Sequence, residues 1–470
     1  MKKLFSLSFL IVSFWGTSQT HINQWNISLN KDVQIFPIKN QLNDQVSLCF
    51  YGKHQLTIAQ VDETMVIKDS VTFDKPEKNF IGLEGYSFTA NQDVVLYWRS
   101  NNSNDVLIAS YDFVTRKNKV LNTFTYPKTE YIWDSFTLNN EFYFVTVIKN
   151  SNLLNVYKFE SNGTYKKNEI DFSTTRILDE NYKATTFHSL LKSNASGTVE
   201  VESMVSLLKA SKEIKKYQVG ESYIITLDHS RNYTQILTIN LSDFSFTSKV
   251  VNKPAIPEID SEFVKSNSFV LDGKLFQYKV GAENLAFQID NLKESNPKIY
   301  YIEKEKPITW KNSEIIQEMN DGVRILEKSN QLINKMNNMN NDGVSVYKLG
   351  ENYLVTLGVV SEEMQSGGAA IAGSFGFIGV VVYASLSSNA TYNNFMDYSN
   401  RKVVYIHCLF DKDGNHLDAK LNPLAFEQIQ KYFKDIEKHQ SITMFRHKGN
   451  YIVGSFDKKQ KTYFWKKFTD

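Results

Sequence analysis

Two short groups of residues in this chain are suited to chemistry: Trp133-Asp134 and Asp260-Ser261-Glu262. Each stands just ahead of an apolar, strand-like run. Carboxylates beside an aromatic ring can protonate or attack a glycosidic bond, or can grip a sugar without cleaving it. The same residue types also suit an ordinary solvated loop. Asp411-Lys412-Asp413-Gly414-Asn415 opens like a calcium loop, but its glycine comes fourth where an EF-hand needs it sixth, so a hairpin turn is the better reading. The eight histidines are scattered and none shows ligand spacing, so no metal is expected. Gly373, Gly376 and Gly379 lack the lysine and the strand-to-helix setting of a phosphate loop. No nucleophile elbow or dinucleotide fingerprint is present, and no cofactor is expected.

The elements that must hold these residues show themselves as a repeat. Tyr217-Gln-Val-Gly-Glu-Ser-Tyr-Ile-Ile-Thr-Leu227 closely matches Tyr347-Lys-Leu-Gly-Glu-Asn-Tyr-Leu-Val-Thr-Leu357, and Phe136 to Val147 follows the same plan. Each reads as strand, tight turn, strand. Aligned on the first apolar residue after the turn, the copies fall at Val46, Val94, Phe142, Tyr223, Leu275, Tyr353 and Tyr451. Six positions earlier stand Phe88, Phe136, Tyr217, Phe269, Tyr347 and Phe445; only the Val46 copy departs, with Asn40. Between them lie Asn91, Asn139-Asn140, Gly220, Asp272-Gly273, Gly350 and Gly449, residues that tolerate the positive φ of hairpin turns. A second hairpin follows each first one, so every unit has four antiparallel strands, a to d.

Four-stranded units in tandem resemble β-propeller repeat proteins, from about residue 46 to 470. The resemblance is architectural, without a recurring Trp-Asp dipeptide or a kelch double glycine. It implies an all-β, seven-bladed propeller. The last unit ends after its third strand, while a spare strand near Asn23 to Leu29 precedes the first unit. Pairing the two would close the ring and satisfy two open edges.

Four insertions interrupt the repeat: 174–215, 296–342, 361–400 and 422–440. Trp310 to Asn340 has a helical rhythm of apolar residues, and Pro423 to Lys438 reads as a helix behind an Asn422 cap. Three insertions are d–a connections and one is b–c, so all leave from one face of the ring. The third contains Gly367 to Leu386, which carries no charge. Its length would span a bilayer, yet it lies between two strands that must pair on the same side. A packed insertion, a membrane or lipid contact, and a subunit contact are the readings it allows.

Met1-Lys2-Lys3, the largely apolar run Leu4 to Trp15, and Gly16-Thr17-Ser18 form the pattern of a secretory signal peptide over 1–18, leaving 19–470 as a single propeller domain. The formal net charge of +2, without a cluster of lysine or arginine along the chain, argues against a nucleic-acid partner. Cys49 and Cys408 sit inside apolar strands and read as two buried thiols, with one long-range disulfide as the alternative. Loops carry function more often than scaffold strands. The expectation is therefore an exported, non-catalytic propeller, periplasmic, cell-surface or secreted. It would bind a protein or glycan of the cell envelope through the insertion-bearing face. The candidate binding residues are Trp133, Asp134, Asp260, Glu262, Phe375, Phe377 and Tyr383. The alternative is a propeller hydrolase acting on a polysaccharide or peptide at the channel mouth. Mass spectrometry of the exported protein is expected to place Gln19 at or within a few residues of the mature N-terminus; an uncleaved chain retained in the cytoplasm overturns the export reading.

Overall fold

The computed structural model describes residues 19–27, 29, 33–77, 79–256, 264–319, 322–364, 390–399, 401–435 and 439–470. Strand β1 (Gln19–Asn26) comes first in the chain and belongs to the last sheet. Blade one is β2 (Gln34–Lys39), β3 (Val46–Tyr51), β4 (Gln55–Val61) and β5 (Ile67–Asp74). Blade two is β6 (Phe80–Phe88), β7 (Val94–Ser100), β8 (Asp105–Asp112) and β9 (Lys117–Thr125). Blade three is β10 (Glu130–Leu138), β11 (Glu141–Ile148), β12 (Leu153–Phe159) and β13 (Tyr165–Asp171). After helix α1 (Phe187–Ser193), blade four adds β14 (Ser196–Val199), followed by helix α2 (Leu207–Ala210) and then β15 (Ile214–Val219), β16 (Ser222–Leu227), β17 (Tyr233–Asn240) and β18 (Phe246–Asn252). Blade five is β19 (Lys265–Leu271), β20 (Lys274–Val280), β21 (Asn284–Asn291) and β22 (Lys298–Glu303).

Blade six joins β23 (Ile315–Met319) and β24 (Gly322–Leu326) to β25 (Asn341–Leu349), β26 (Asn352–Met364) and β27 (Arg401–Phe410), with α3 (Ser329–Asn338) and α4 (Ala390–Ser399) between strands. Helix α5 (Ala425–Asp435) leads into blade seven: β28 (His439–His447), β29 (Asn450–Asp457) and β30 (Thr462–Phe468), with β1 as its outer strand. Neighbouring first strands touch, β6 with β10, β19 with β25 and β2 with β28, so they converge on a common axis. The chain is a seven-bladed β-propeller.

The turns follow the residues chosen for them. Leu138 pairs with Glu141 across Asn139 and Asn140, whose φ angles are 50° and 65°. The recurring aromatics sit at the ends of the inner strands and are buried against the next blade. Phe136 stacks on Tyr223 at 5.3 Å, and Tyr217 meets Phe269 edge-on at 5.6 Å. Fully burying such a side chain stabilises the fold by about 2 kcal/mol. Gly85 marks one close approach: a Cβ there would lie 2.2 Å from the Phe142 ring. The exception, Asn40, is equally buried but works by hydrogen bonds. Asn140 Nδ2 donates to Asn40 Oδ1 at 2.8 Å, and Asn40 Nδ2 donates to Gln92 Oε1. One amide thereby ties the first turns of blades one, two and three.

Ring closure uses β1, which pairs antiparallel with β30 from Gln19↔Phe468 to Asn26↔Thr462. The spare strand therefore starts and ends earlier than the expected Asn23 to Leu29. Trp25 stacks on Tyr463 at 5.7 Å, and its Nε1 donates to Met65 O of blade one at 2.7 Å.

Blade six corrects two expectations. Residues 315–319 and 322–326 are strands, not helix: β23 and β24 pair antiparallel, and among the described residues of Trp310 to Asn340 only 329–338 is a helix. Apolar residues spaced by four satisfy both a helical and an alternating period, so the rhythm alone was ambiguous. The outer strand of this blade also comes from ahead of its inner strands, because β23 pairs with β27 at Ile316↔Tyr405 and Glu318↔Val403. Beyond the Asp411–Asn415 turn only Phe410↔His416 bridges. Asn312 occupies the rest of the edge, donating to His407 O at 2.7 Å and accepting from Leu409 N at 2.6 Å. Trp25→Ala is expected to lower the unfolding free energy in urea by about 3–5 kcal/mol. A loss under about 1 kcal/mol would mean that the N-terminal strand does not hold the ring closed.

Candidate functional site

The insertion over 174–215 leaves from the expected face and then turns into the axis. Helix α1 is capped by Thr186, whose Oγ1 accepts from Ser189 N at 3.1 Å. It docks on a turn of blade three, where Phe187 N donates to Asn152 Oδ1 at 2.7 Å and Asn150 N donates to His188 Nδ1 at 3.0 Å. Next, β14 runs parallel to β15 along the inner edge of blade four. At its end the chain crosses to blades seven and six: Met204 N donates to Tyr451 Oη at 2.9 Å, and Ser345 Oγ donates to Val205 O at 2.7 Å. It returns as α2, packed on β25 and β26, with Ser211 against Gly343, where a Cβ would lie 3.0 Å from the Ser211 backbone. Helix α4 lies beside it, and Thr391 Oγ1 donates to Glu200 Oε2 at 2.8 Å. The axis is thus occupied by the chain's own residues. A cavity of about 30 Å³ between α2, α4 and blade six is lined by Met204, Tyr347, Thr356, Asp397, Tyr398 and Tyr405 among others. That volume holds one or two waters rather than a sugar ring.

The buried charges around the axis join neighbouring blades. Asp134 lies within β10 rather than ahead of it, 3.2 Å from Lys216 Nζ of blade four, and accepts from Tyr223 Oη at 2.6 Å. Lys216 also donates to Trp133 O at 2.9 Å and sits 5.2 Å above the Trp133 ring. Blades two and three meet where Ser135 Oγ donates to Glu84 O at 3.1 Å, while Arg99 holds the Glu84 carboxylate at 2.9 Å. Burial pushes the Glu84 carboxyl up, against the pull of Arg99.

Between blades four and five the tie is fully enclosed. Asp228 lies 2.9 Å from Lys215 and 3.3 Å from Lys253, all three side chains having no exposed area. Asp228 also accepts from Ser268 Oγ and Thr234 Oγ1, each at 2.7 Å, and Lys215 donates to Asn267 Oδ1 at 2.8 Å. Burial alone would raise the Asp228 pKa, but the two ammonium groups override it and hold the carboxyl well below its ordinary range. Between blades five and six, Asp342 pairs with Lys265 at 3.4 Å and accepts from Tyr278 Oη.

Trp133 and Asp134 are therefore brought together inside the ring, where Lys216 and Tyr223 of blade four engage the Trp133 carbonyl and the Asp134 carboxylate. Asp260, Glu262, Phe375, Phe377 and Tyr383 lie outside the described residues, as does Gly367 to Leu386. Cys49 and Cys408 are free thiols buried in blades one and six, and burial pushes both pKa values up. His407 is buried with Nδ1 3.0 Å from Thr356 Oγ1, and burial pushes it down to about 4. Among the described residues no three His, Cys, Asp or Glu side chains gather as metal ligands. Asp411 Oδ1 accepts from Asp413 N at 2.9 Å and Asn415 N at 2.7 Å, as a hairpin turn requires. The enclosed Lys215–Asp228–Lys253 group was missed in the sequence, although Lys215-Lys216 inside a strand pattern is a visible signal of buried charge.

No family model matches the chain, and no curated protein matches it. Among solved structures, it is similar to the Nup133 β-propeller domain of Vanderwaltozyma polyspora at 10% identity and a TM-score of 0.29, covering 59% of this chain and 77% of that one. It is also similar to the WD40 domain of SCAP from fission yeast at 10% identity and 0.33, covering 94% and 85%. A third is an oligogalacturonate lyase in complex with manganese, at 7% identity and 0.37, covering 96% and 93%. The propeller assignment rests on the seven sheets themselves.

Asp228→Asn removes the carboxylate that two buried ammonium groups share and is expected to cost about 3–5 kcal/mol in equilibrium unfolding. An unchanged midpoint would show that the tie is dispensable. Glu200 yields a pH dependence. Burial pushes its carboxyl up to about 7, with Thr391, Lys209 and Arg446 pulling it down and Glu202 pushing it up. A raised folded pKa makes its contribution complete below the unfolded value of about 4.3 and lost as pH rises through about 7. Glu200→Gln should flatten the melting temperature between those limits, and an unaltered profile would count against burial of that carboxyl.

Proposed function

We propose that the protein is an exported, non-catalytic β-propeller that binds a protein or glycan of the cell envelope through its insertion-bearing face. The observation that carries this reading is the occupied axis. Propeller enzymes need an open site where substrate meets its acid and base. Here residues 196–214 cross that space, and Glu84, Asp134, Asp228 and Asp342 are each engaged by a cationic side chain. A rigid ring with several long connections on one side is the architecture of a binding platform. The N-terminal Met-Lys-Lys and the apolar run behind it support export.

Gly367 to Leu386 lies in the chain between β26 and α4. It is the segment we assign to partner contact, with a lipid surface as its alternative occupant. Helix α4 must be spared in any test, because Tyr392 and Phe395 are buried against α5 and blade seven. Removing 367–386 with a short Gly-Ser joint is expected to leave the melting temperature nearly unchanged and to abolish capture of envelope components or of anionic vesicles. Retained capture by the folded variant would exclude the segment. The full chain is expected to turn over nothing on a panel of polysaccharides and peptides; turnover lost in Asp260→Asn/Glu262→Gln would shift the reading to a hydrolase.

A further inference from the structure

The insertion-bearing face of blade three gathers three lysines from separate stretches of chain. Lys128 precedes β10, Lys149 is in the turn between β11 and β12, and Lys192 is in the last turn of α1. All three are exposed, and among the described residues none has a carboxylate partner within ion-pair distance. Lys149 Nζ donates to Lys128 O at 2.6 Å, which brings the first two side by side. His188 marks the centre. Its backbone N donates to Ser151 O at 3.1 Å, so α1 is pinned to the same turn that carries Lys149. Burial, then Lys192 and Lys149, push the His188 pKa down. The field over this patch is therefore positive and unbalanced, although the chain as a whole is nearly neutral.

Tyr131 supplies the second ingredient. It is in β10, yet its side chain is 50% exposed at the end of the strand, two residues from buried Trp133. Its ring stands 6.4 Å from the His188 ring at 76°, so an edge-to-face contact holds it in place. A fixed tyrosine ring with free surface offers an apolar face and a polar tip at little entropic cost. Sugar rings present C–H faces that match such a surface, and uronate carboxylates match ammonium groups. A purely acidic peptide would use the lysines but would have no need of the ring.

We propose that Tyr131, Lys128, Lys149 and Lys192 form a subsite for an acidic polysaccharide, contacting sugar faces through the ring and carboxylates through the lysines. This deepens the binding reading above and rests on it. The site was not apparent along the chain because its members come from a d–a connection, a b–c turn and a helix.

The test is calorimetric titration of the full chain with alginate oligomers, with dextran and poly-glutamate as controls. Alginate should bind, more weakly as salt rises, and dextran should not. Tyr131→Ala and the triple variant K128Q/K149Q/K192Q should each weaken alginate by about tenfold or more, with melting temperatures unchanged because the altered side chains are exposed. Alginate binding that is absent, or that survives both variants, overturns the subsite. Poly-glutamate binding without alginate binding also overturns it, in favour of an acidic protein partner. Capture of envelope components is run in parallel on the unaltered chain. Capture without alginate binding removes the subsite alone, and loss of both removes the binding reading with it.

Discussion

Every sheet in this molecule is apolar on both faces, and that constraint governs the rest. In blade six, Val355, Leu357, Val404, Ile406 and Cys408 join the core shared with blade five, while Leu354 and Leu409 join the core shared with α5 and blade seven. A sheet that is buried on both sides needs a neighbour on each side, and only a closed ring provides one for all seven. Closure is therefore a condition of burial. It explains why the outer strand of blade seven is taken from the opposite end of the chain, and why Trp25 bridges blade seven to blade one. Where blades six and seven diverge, α5 inserts Phe426, Ile429 and Phe433 and restores the two-sided packing.

Convergence of the inner strands creates a second constraint. Side chains near the axis are buried whatever their polarity, so charged ones must find partners there. The Asp134–Lys216 and Asp342–Lys265 pairs each cross from one blade to the next, and the Asp228–Lys215 pair of blade four reaches blade five through Ser268 and Asn267. Buried pairs of this kind add little net stability, but removing one partner is costly, so they act as checks on which blade meets which. The chain segment through the axis uses the same means, with Tyr451 and Ser345 donating or accepting at its turning point. Among the described residues the chain itself thereby fills the space near the axis.

Much of the architecture was legible because it rests on local periodicity. The alternation of each strand, the turn residues and the recurring aromatic repeat in register, so blade number could be read along the chain, as could strand order outside blade six and the added β14 of blade four. Asn40 was legible only as an irregularity; its role depends on Asn140 and Gln92, far away in sequence but adjacent in the ring. Residues 315–326 were misread because spacing by four fits a helix and a hairpin alike, and the open edge of β27 settled the matter. Trp133 and Asp134 were legible as chemically capable residues. Their position inside β10, against Lys216, was not, since the pairing partner comes from the next blade.

By itself, the sequence determined the all-β class, the seven units and the need for a closing strand. These follow from side-chain period and turn chemistry, which act over a few residues. Only the tertiary structure decided that residues 196–214 fill the axis, that Asp134 and Asp342 are engaged across blades, and that Lys149 lies beside Lys128 on the face where His188 meets Tyr131. Those outcomes depend on distances between segments far apart in the chain, which are set when the sheets pack face to face and the ring closes.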